Sequence, residues 1–216
     1  MDRSNPTPFT GLRVLPEDFF RMSDGHELRV LYIDTYVPTR FQDSAKHEGT
    51  KMLLQLKDGD SDGIEYFADK LNDHLGPKLN PTPSFVAVPG HMNGPSDPFG
   101  GLRKVIDQIP HASDLSHCLA RTVAVPKMST AAQGERLDAA GHIKTMEVRF
   151  PEDLAGKHLI LIDDVITRGA TMRAARYMLL AHAKPASLTC VALTRTRSSA
   201  EPQSKSAPPT SDEIPF

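Results

Sequence analysis

Two adjacent carboxylates follow an apolar run in the segment LILIDDVITRGATM, Leu159 to Met172. The four apolar residues predict a buried strand, and Asp163 and Asp164 fall at its carboxyl end. A short Thr- and Gly-containing stretch comes next, and a helix-like sequence follows it. Ligands of open α/β sheets bind at the carboxyl ends of strands, so this segment is the best candidate for chemistry.

The stretch after the carboxylates has the properties of a phosphate-binding loop. It consists of Thr167, Arg168, Gly169, Ala170 and Thr171. A turn that leads into a helix N-terminus presents backbone N–H groups and the positive end of the helix dipole. The threonines add hydroxyl donors, and Gly169 permits a positive φ or a close approach to the ligand. The two carboxylates would repel a phosphate but can accept hydrogen bonds from a diol. A phosphate and a diol together indicate a ribose 5-phosphate.

The segment resembles the 5-phosphoribosyl-1-pyrophosphate (PRPP) signature of type I phosphoribosyltransferases: four apolar residues, two acidic, one apolar, then a Thr/Gly-rich loop. An ordinary strand-turn-helix with an acidic edge would not explain this order. Arg168 stands where many relatives carry Thr, but its backbone N–H is unchanged. The resemblance implies an α/β fold: a parallel sheet flanked by helices, with a small N-terminal hairpin and helix elaboration. It also implies Mg2+ that enters with PRPP and is held by substrate oxygens rather than directly by the protein.

A weaker resemblance, over roughly residues 45–196, is to the competence protein ComF family, a phosphoribosyltransferase-like group linked to DNA uptake. It rests on KMLLQLKDGD, FVAVP, a loop with Gln133 and Arg136, and the PRPP signature, in that order. Two features depart from the ComF pattern. The usual four-cysteine zinc ribbon is missing, and HMNGPSDPFGGLRK replaces the family's RGFNQ-like stretch.

The same resemblance implies roles for two further loops. The loop after FVAVP, with Pro89, Gly90 and His91, is expected to meet pyrophosphate, although a single loop histidine is often only exposed. Residues 126–136 take the place of a mobile hood. There Lys127 and Arg136 could neutralise pyrophosphate as the hood closes, or could be ordinary solvated cations.

Two functions follow from the resemblance. One is an enzyme of salvage or nucleotide metabolism, in which a nitrogenous base displaces pyrophosphate from ribose C1 of PRPP. The other is a non-catalytic ComF-like module that binds PRPP or a nucleotide and serves DNA uptake, recombination or repair. The sequence assigns no catalytic or base-recognising residue. A homodimer is common in the fold and is the assembly that the resemblance implies.

Composition narrows the setting of these functions. The 39% of hydrophobic residues is enough for a core, and the net charge of -2 predicts no broad electrostatic grip on nucleic acid. The N-terminus has no apolar signal region, and no apolar run approaches the roughly 20 residues of a membrane span. Cys118 and Cys190 are far apart and outside any C-x-x-C pattern. We therefore expect a cytoplasmic protein with reduced thiols and no membrane association.

Three regions are predicted along the chain: an N-terminal hairpin and helices in 1–80, a PRPP-binding core in 81–196, and a disordered tail in 197–216. In the first region, FFRM and ELRVLYIDTYV should pair across the turn SDGH. Helices are predicted over 50–57 and 63–75, the second capped by Asp62.

In the core region, SFVAV and TVAV are predicted to be strands, and GLRKVIDQI and DLSHCLA helices. The polar stretch 126–145 reads as a loop. KHLILIDD, TMRAARYMLLAHA and SLTCVALTR then form a β-loop-α-β unit of a parallel sheet.

Two patterns resemble metal sites without matching them. Residues 58–69 have the acidic spacing of a calcium loop, but Glu65 and Asp69 depart from it, so a turn and helix cap is the better interpretation. The nine histidines form no H-E-x-x-H pattern, so a zinc site is not predicted.

The chain finishes with a polar stretch and then Asp212, Glu213, Ile214, Pro215 and Phe216. These five residues resemble the tip of bacterial single-stranded DNA-binding protein, which docks into small pockets on replication and repair proteins. The resemblance implies a tip whose aromatic ring fills an apolar pocket while its carboxylates meet a basic rim. The alternative interpretation is a chance match, because short motifs recur in unrelated chains.

Overall fold

A six-stranded sheet forms the centre of the molecule, with strand order β1-β2-β8-β7-β3-β4. The computed structural model describes residues 13–14, 30–38, 41, 44–75, 83–92, 99, 101–126 and 137–197. The strands of this sheet are β1 (Arg13–Val14), β2 (Val30–Tyr36), β3 (Ser84–Ala87), β4 (Ser113–Asp114), β7 (His158–Ile166) and β8 (Ser187–Thr196). Every pairing is parallel except that of β1 with β2. The predicted α/β fold with a parallel sheet is confirmed.

Helices cover both faces of this sheet. They are α1 (Glu48–Asp58), α2 (Ser61–Leu75), α3 (Leu102–Asp107), α4 (Ala139–Ile143), α5 (Pro151–Leu154) and α6 (Ala170–His182). The first three pack on one face, where Leu53, Phe67 and Val105 are fully buried. On the opposite face, α6 packs beside a small antiparallel sheet of β5 (Leu119–Arg121) and β6 (Met146–Val148).

The predicted β-loop-α-β unit is confirmed as β7, α6 and β8. The apolar run from Leu159 to Ile162 is at most 2% exposed, because helices cover the strand on both sides. The strand pairs in parallel with β8 on one side and with β3 on the other. A strand buried on both faces and at both edges holds whatever follows its carboxyl end in a fixed position.

The sequence interpretation is wrong between residues 114 and 125. DLSHCLA forms a 3-10 turn at Ser116–Cys118 followed by β5, not a helix, and β5 ends at Arg121 where TVAV was predicted to be a strand. The buried Ser116 accounts for this difference. Its Oγ accepts a hydrogen bond from Ala87 N at 2.9 Å, and its own N–H donates to Asp114 Oδ1 at 2.8 Å, so side-chain bonds on both sides favour a turn. A tertiary hydrogen bond overrides local propensity here.

Two caps also differ from expectation. Asp60, not Asp62, caps α2, because its Oδ1 accepts from Asp62 N at 2.9 Å and the helix starts at Ser61. A helix from residue 61 also excludes a calcium loop over 58–69. In the stretch predicted as a loop, Asp138 caps α4 by accepting from Gly141 N at 2.8 Å.

Several predictions lie outside the described residues: the strand FFRM with its turn, the tail from 198 onward, and the tip. The division into 1–80, 81–196 and 197–216 stays a prediction, although β2 pairs directly with β8 within one sheet. Among the helices described, none is long and apolar enough to cross a membrane.

Both cysteines are free thiols buried in the same apolar cluster. Burial raises the pKa of the Cys118 thiol to about 11 and that of the Cys190 thiol to about 12. Each therefore carries its proton and packs as a small apolar side chain.

Candidate phosphate and diol site

Asp163 and Asp164 lie near the carboxyl end of β7, where the sequence places them. Asp163 Oδ1 accepts a hydrogen bond from Asp164 N at 2.9 Å, and Thr194 Oγ1 of β8 donates to Asp164 O at 3.0 Å. Both residues are partly exposed, near the carboxyl end of this central strand. The strand thus presents two carboxyl groups at a position fixed by its neighbours.

The two carboxyl groups have different electrostatic surroundings. Burial raises the pKa of Asp163 well above its usual value, the charge of Asp164 raises it further, and Lys57 opposes both effects. Lys57, in the last turn of α1, places its Nζ 3.0 Å from Asp164 Oδ2. Lys57 therefore belongs to the site, and the sequence interpretation did not include it.

The predicted phosphate loop leads directly into α6. Gly169 is the N-cap with φ 67, and Ala170 is the first helical residue. A positive φ is the reason that glycine is suited to this turn. Outside the turn, Thr167 Oγ1 lies 2.7 Å from Thr196 Oγ1, and Arg173 donates to Arg168 O at 3.1 Å. Both side-chain bonds tie the loop to its surroundings.

The loop after β3 begins beside the strand β7. Val88 N donates to Ile162 O of β7 at 2.8 Å, which brings Pro89, Gly90 and His91 next to the strand that carries the carboxylates. His91 is partly exposed. The predicted hood residues Lys127 and Arg136 lie outside the described residues.

The sequence interpretation also did not include a buried polar cluster that contacts both loops. Arg121 of β5 is 6% exposed and His142 of α4 is 1% exposed. Burial and the charge of Arg121 lower the pKa of His142 to about 4, so this imidazole is neutral near pH 7. Burial also lowers the pKa of Arg121, while the charge of Asp163 opposes that effect. The sequence offered no local signal, because the two residues meet only through the fold.

Within the described residues, one cluster could hold a metal ion: His117, Cys118 and Asp153. His117 Nε2 lies 3.5 Å from Cys118 Sγ and 4.0 Å from Asp153 Oδ2. Cys118 is fully buried and its raised pKa favours the protonated thiol, which is the weaker metal ligand.

The phosphoribosyl transferase domain profile matches residues 106–213, half of the chain, including β7, the loop and α6. The chain belongs to the phosphoribosyl transferase domain family. The chain is 42% identical over 57 residues to the bifunctional protein PyrR 1 of Lactiplantibacillus plantarum, and the matched segment covers 26% of this chain and 32% of that protein. It is 49% identical over 44 residues to the bifunctional protein PyrR of Pseudomonas savastanoi, 20% of this chain and 26% of that protein.

These matches span about a third or less of the curated relatives, since they cover 32% and 26% of their lengths. Among solved structures, this phosphoribosyl transferase domain is similar to the hypoxanthine phosphoribosyltransferase of Trypanosoma cruzi. The identity is 18%, the similarity covers 72% of this chain and 74% of that chain, and the TM-score is 0.30.

Proposed function

We propose that this protein binds PRPP and transfers its 5-phosphoribosyl group to a nitrogenous base, with release of pyrophosphate. The observation that carries the proposal is one continuous arrangement: two carboxyl groups at the end of β7, followed directly by the Gly169 turn at the N-terminus of α6. Membership of the phosphoribosyl transferase domain family supports it.

Each part of the arrangement suits one part of PRPP. Asp163 and Asp164 accept hydrogen bonds from the ribose 2- and 3-hydroxyls. The turn and the first N–H groups of α6 bind the 5-phosphate, since they offer donors and a positive dipole end. The Pro89–His91 loop, which runs beside β7, is the part that meets pyrophosphate.

The reaction is a substitution at ribose C1. The base nitrogen forms a bond to C1 while the bond from C1 to the pyrophosphate oxygen breaks, and pyrophosphate leaves with the electron pair. A proton on the attacking nitrogen passes to solvent. The protein's contribution is to hold the reactants in register and to offset charge.

The oxygen-rich site also suits Mg2+ that arrives with PRPP. The ion would be held by oxygens of PRPP rather than directly by the protein, and the mutual repulsion of Asp163 and Asp164 favours a nearby cation. When bound, Mg2+ would supply charge neutralisation on the pyrophosphate oxygens.

A binding and turnover screen tests the proposal. Calorimetry with PRPP and with nucleotides, with and without Mg2+, should show PRPP binding that Mg2+ strengthens. A panel of purine and pyrimidine bases should then include one that releases pyrophosphate from PRPP. Binding of PRPP without turnover of any base would exclude the enzyme and favour the non-catalytic function.

A paired substitution tests the site itself. Asp163→Asn with Asp164→Asn should abolish PRPP binding and leave the circular dichroism spectrum unchanged. The matched control is Glu152→Gln with Asp153→Asn, an exposed acidic pair on α5 that undergoes the same kind of change from acid to amide. Undiminished affinity in the Asp163/Asp164 variant would contradict the assignment.

The alternative is a ComF-like module that binds PRPP or a nucleotide without turnover and docks onto DNA-processing proteins. The specific observation in its favour is the pair of acids followed by Ile214, Pro215 and Phe216. Deletion of Phe216 should abolish binding to a protein that recognises the tip of single-stranded DNA-binding protein. If the full chain shows no such binding, the tip has no docking role.

A further inference from the structure

A buried hydrogen-bonded cluster lies between the two loops of the proposed site. It is built from Arg121 of β5, His142 of α4 and Thr145, and it contacts Thr171 in the first turn of α6. Arg121 and His142 are both almost wholly buried. Burying a guanidinium and an imidazole costs free energy unless both groups are hydrogen-bonded, so the partners of these two side chains show what holds them in place.

Arg121 holds the backbone of the loop that follows β3. Its Nε donates to Gly90 O at 2.5 Å, and its Nη2 donates to Pro89 O at 3.4 Å. Its Nη1 donates to Thr145 Oγ1 at 2.6 Å, and Thr145 in turn donates to His142 O at 2.8 Å. One side chain thus fixes two consecutive carbonyl groups of the proposed pyrophosphate loop.

The same guanidinium sets the tautomer of His142. Arg121 Nη1 lies 3.5 Å from His142 Nδ1, and a guanidinium can only donate, so Nδ1 accepts. The lowered pKa keeps the ring neutral, and a neutral ring that accepts at Nδ1 carries its proton on Nε2. His142 Nε2 lies 3.4 Å from Thr171 Oγ1, so the imidazole donates to this hydroxyl.

The direction of that hydrogen bond matters for an anion. A hydroxyl has one hydrogen to donate and two lone pairs that accept. Because Thr171 Oγ1 accepts from His142, its own hydrogen is left for another acceptor. The opposite tautomer would take that hydrogen and remove Thr171 as a phosphate donor.

We propose that Arg121 and His142 are positioning residues that direct the Thr171 hydroxyl hydrogen toward a bound 5-phosphate and couple this loop to the Pro89–Gly90 loop. The inference rests on the proposed function and deepens it. Neither residue contacts the ligand directly, and each acts through a loop that does.

A double-mutant cycle tests the relay, with Mg-PRPP as the titrated ligand. Thr171→Val and His142→Leu should each weaken PRPP affinity roughly 10-fold, the effect of losing one hydrogen bond to a charged group. In the Thr171→Val background, His142→Leu should add less than about a twofold change. An equal loss from His142→Leu in both backgrounds would overturn the proposal, because His142 would then act independently of Thr171.

A conservative variant, His142→Gln, tests the relay even if His142→Leu fails to fold. In His142→Gln one amide supplies both an acceptor and an N–H donor, so PRPP affinity should stay within about twofold of wild type. A 10-fold loss in this variant, with an unchanged melting temperature, would also contradict the relay.

A readout without ligand separates this inference from the proposed function. The imidazole 15N spectrum of His142 in the full chain should show the neutral form protonated on Nε2. Protonation on Nδ1 would overturn the relay whether or not PRPP binds. Failure of the wild-type protein to bind PRPP would instead refute the proposed function, and the 15N spectrum would still decide the relay.

Discussion

At the scale of single residues, the contact of Lys57 with Asp164 controls the charge of the proposed diol site. The ammonium lies 3.0 Å from one carboxylate and opposes the raised pKa of Asp163. Lys57→Met should therefore raise the pKa of Asp163 further. It should also weaken the binding of anionic PRPP, by about threefold at pH 7, because it removes a positive charge from the site, and interactions of partly exposed charges contribute up to about 1 kcal/mol.

Calorimetric titration of PRPP across pH measures both effects of Lys57→Met. The pH at which affinity falls on acidification should move upward, since Asp163 accepts diol hydrogen bonds best as a carboxylate. Lys51→Met, an exposed site on the same helix, is the matched control. An unchanged pH profile in Lys57→Met would show that the ammonium does not govern the pair.

His142 gives the protein a predictable weakness in acid. Its pKa is lowered from 6.5 to about 4, so the unfolded chain takes up a proton at a higher pH than the folded chain does. The stability from the neutral ring is full above about pH 6.5 and is lost as pH falls through about 4. The difference in free energy of unfolding across this window is about 3 kcal/mol. The raised pKa of Asp163 acts in the opposite direction and favours the folded state in acid.

Comparison of variants isolates the contribution of His142. Chemical denaturation between pH 4 and 7.5 should show wild type losing stability relative to His142→Gln as the pH falls from about 6.5 to about 4, because glutamine does not titrate. The exposed His182, changed in the same way, is the control. A constant difference between wild type and His142→Gln across this range would rule out the assigned protonation.

The site residues that could be predicted are those that lie close together along the chain. Asp163 and Gly169 lie six positions apart in one strand-turn-helix unit, so their order alone indicated a site. Lys57, Arg121 and His142 come from three other elements. Their partners are set by packing, which a local pattern does not encode.

At the scale of elements, the pairing of α1 with α2 depends on one glycine. A Cβ on Gly63 would lie 2.4 Å from Leu56 N and 2.6 Å from Met52 O, and both are backbone atoms of α1. Gly63→Ala should therefore push the helices apart and cost about 1–3 kcal/mol in free energy of unfolding. Urea denaturation measures this cost, and Glu65→Ala, exposed on α2, is the control. Equal stability of both variants would mean that α2 shifts freely.

Elements were predictable where apolar periodicity dominates and were not where side-chain hydrogen bonds dominate. The long strands β7 and β8 and the helix α6 follow directly from their apolar runs. The turn at Ser116 depends instead on a bond to Ala87 N, 29 residues earlier in the chain. Such a contact leaves no period in the sequence.

At the scale of the whole molecule, residues from both ends of the described chain share one core. Leu31 of β2 and Phe67 of α2 belong to the apolar cluster that also buries Ile160 and Val191. A fragment of residues 81–216 would lack β2, α1 and α2 and would keep only α3 of the three helices on that face of the sheet. We expect the fragment to lack a cooperative thermal transition and to bind a hydrophobic dye, whereas the full chain should melt cooperatively. Cooperative melting of the fragment would support a boundary near residue 80.

The alkylation rates of the two buried thiols can measure how often two parts of the molecule open. An alkylating reagent can modify Cys190 only when β8 separates from the sheet, and Cys118 only when the turn before β5 lifts away. Labelling of Cys190 should therefore report global unfolding, while Cys118 should react sooner if the small antiparallel sheet opens by itself. Mass spectrometry of Cys118→Ser and Cys190→Ser, each with one thiol left, reads the two rates separately. Equal alkylation rates would mean that the chain opens as one unit. If PRPP binds between the loops, it should slow the alkylation of both thiols.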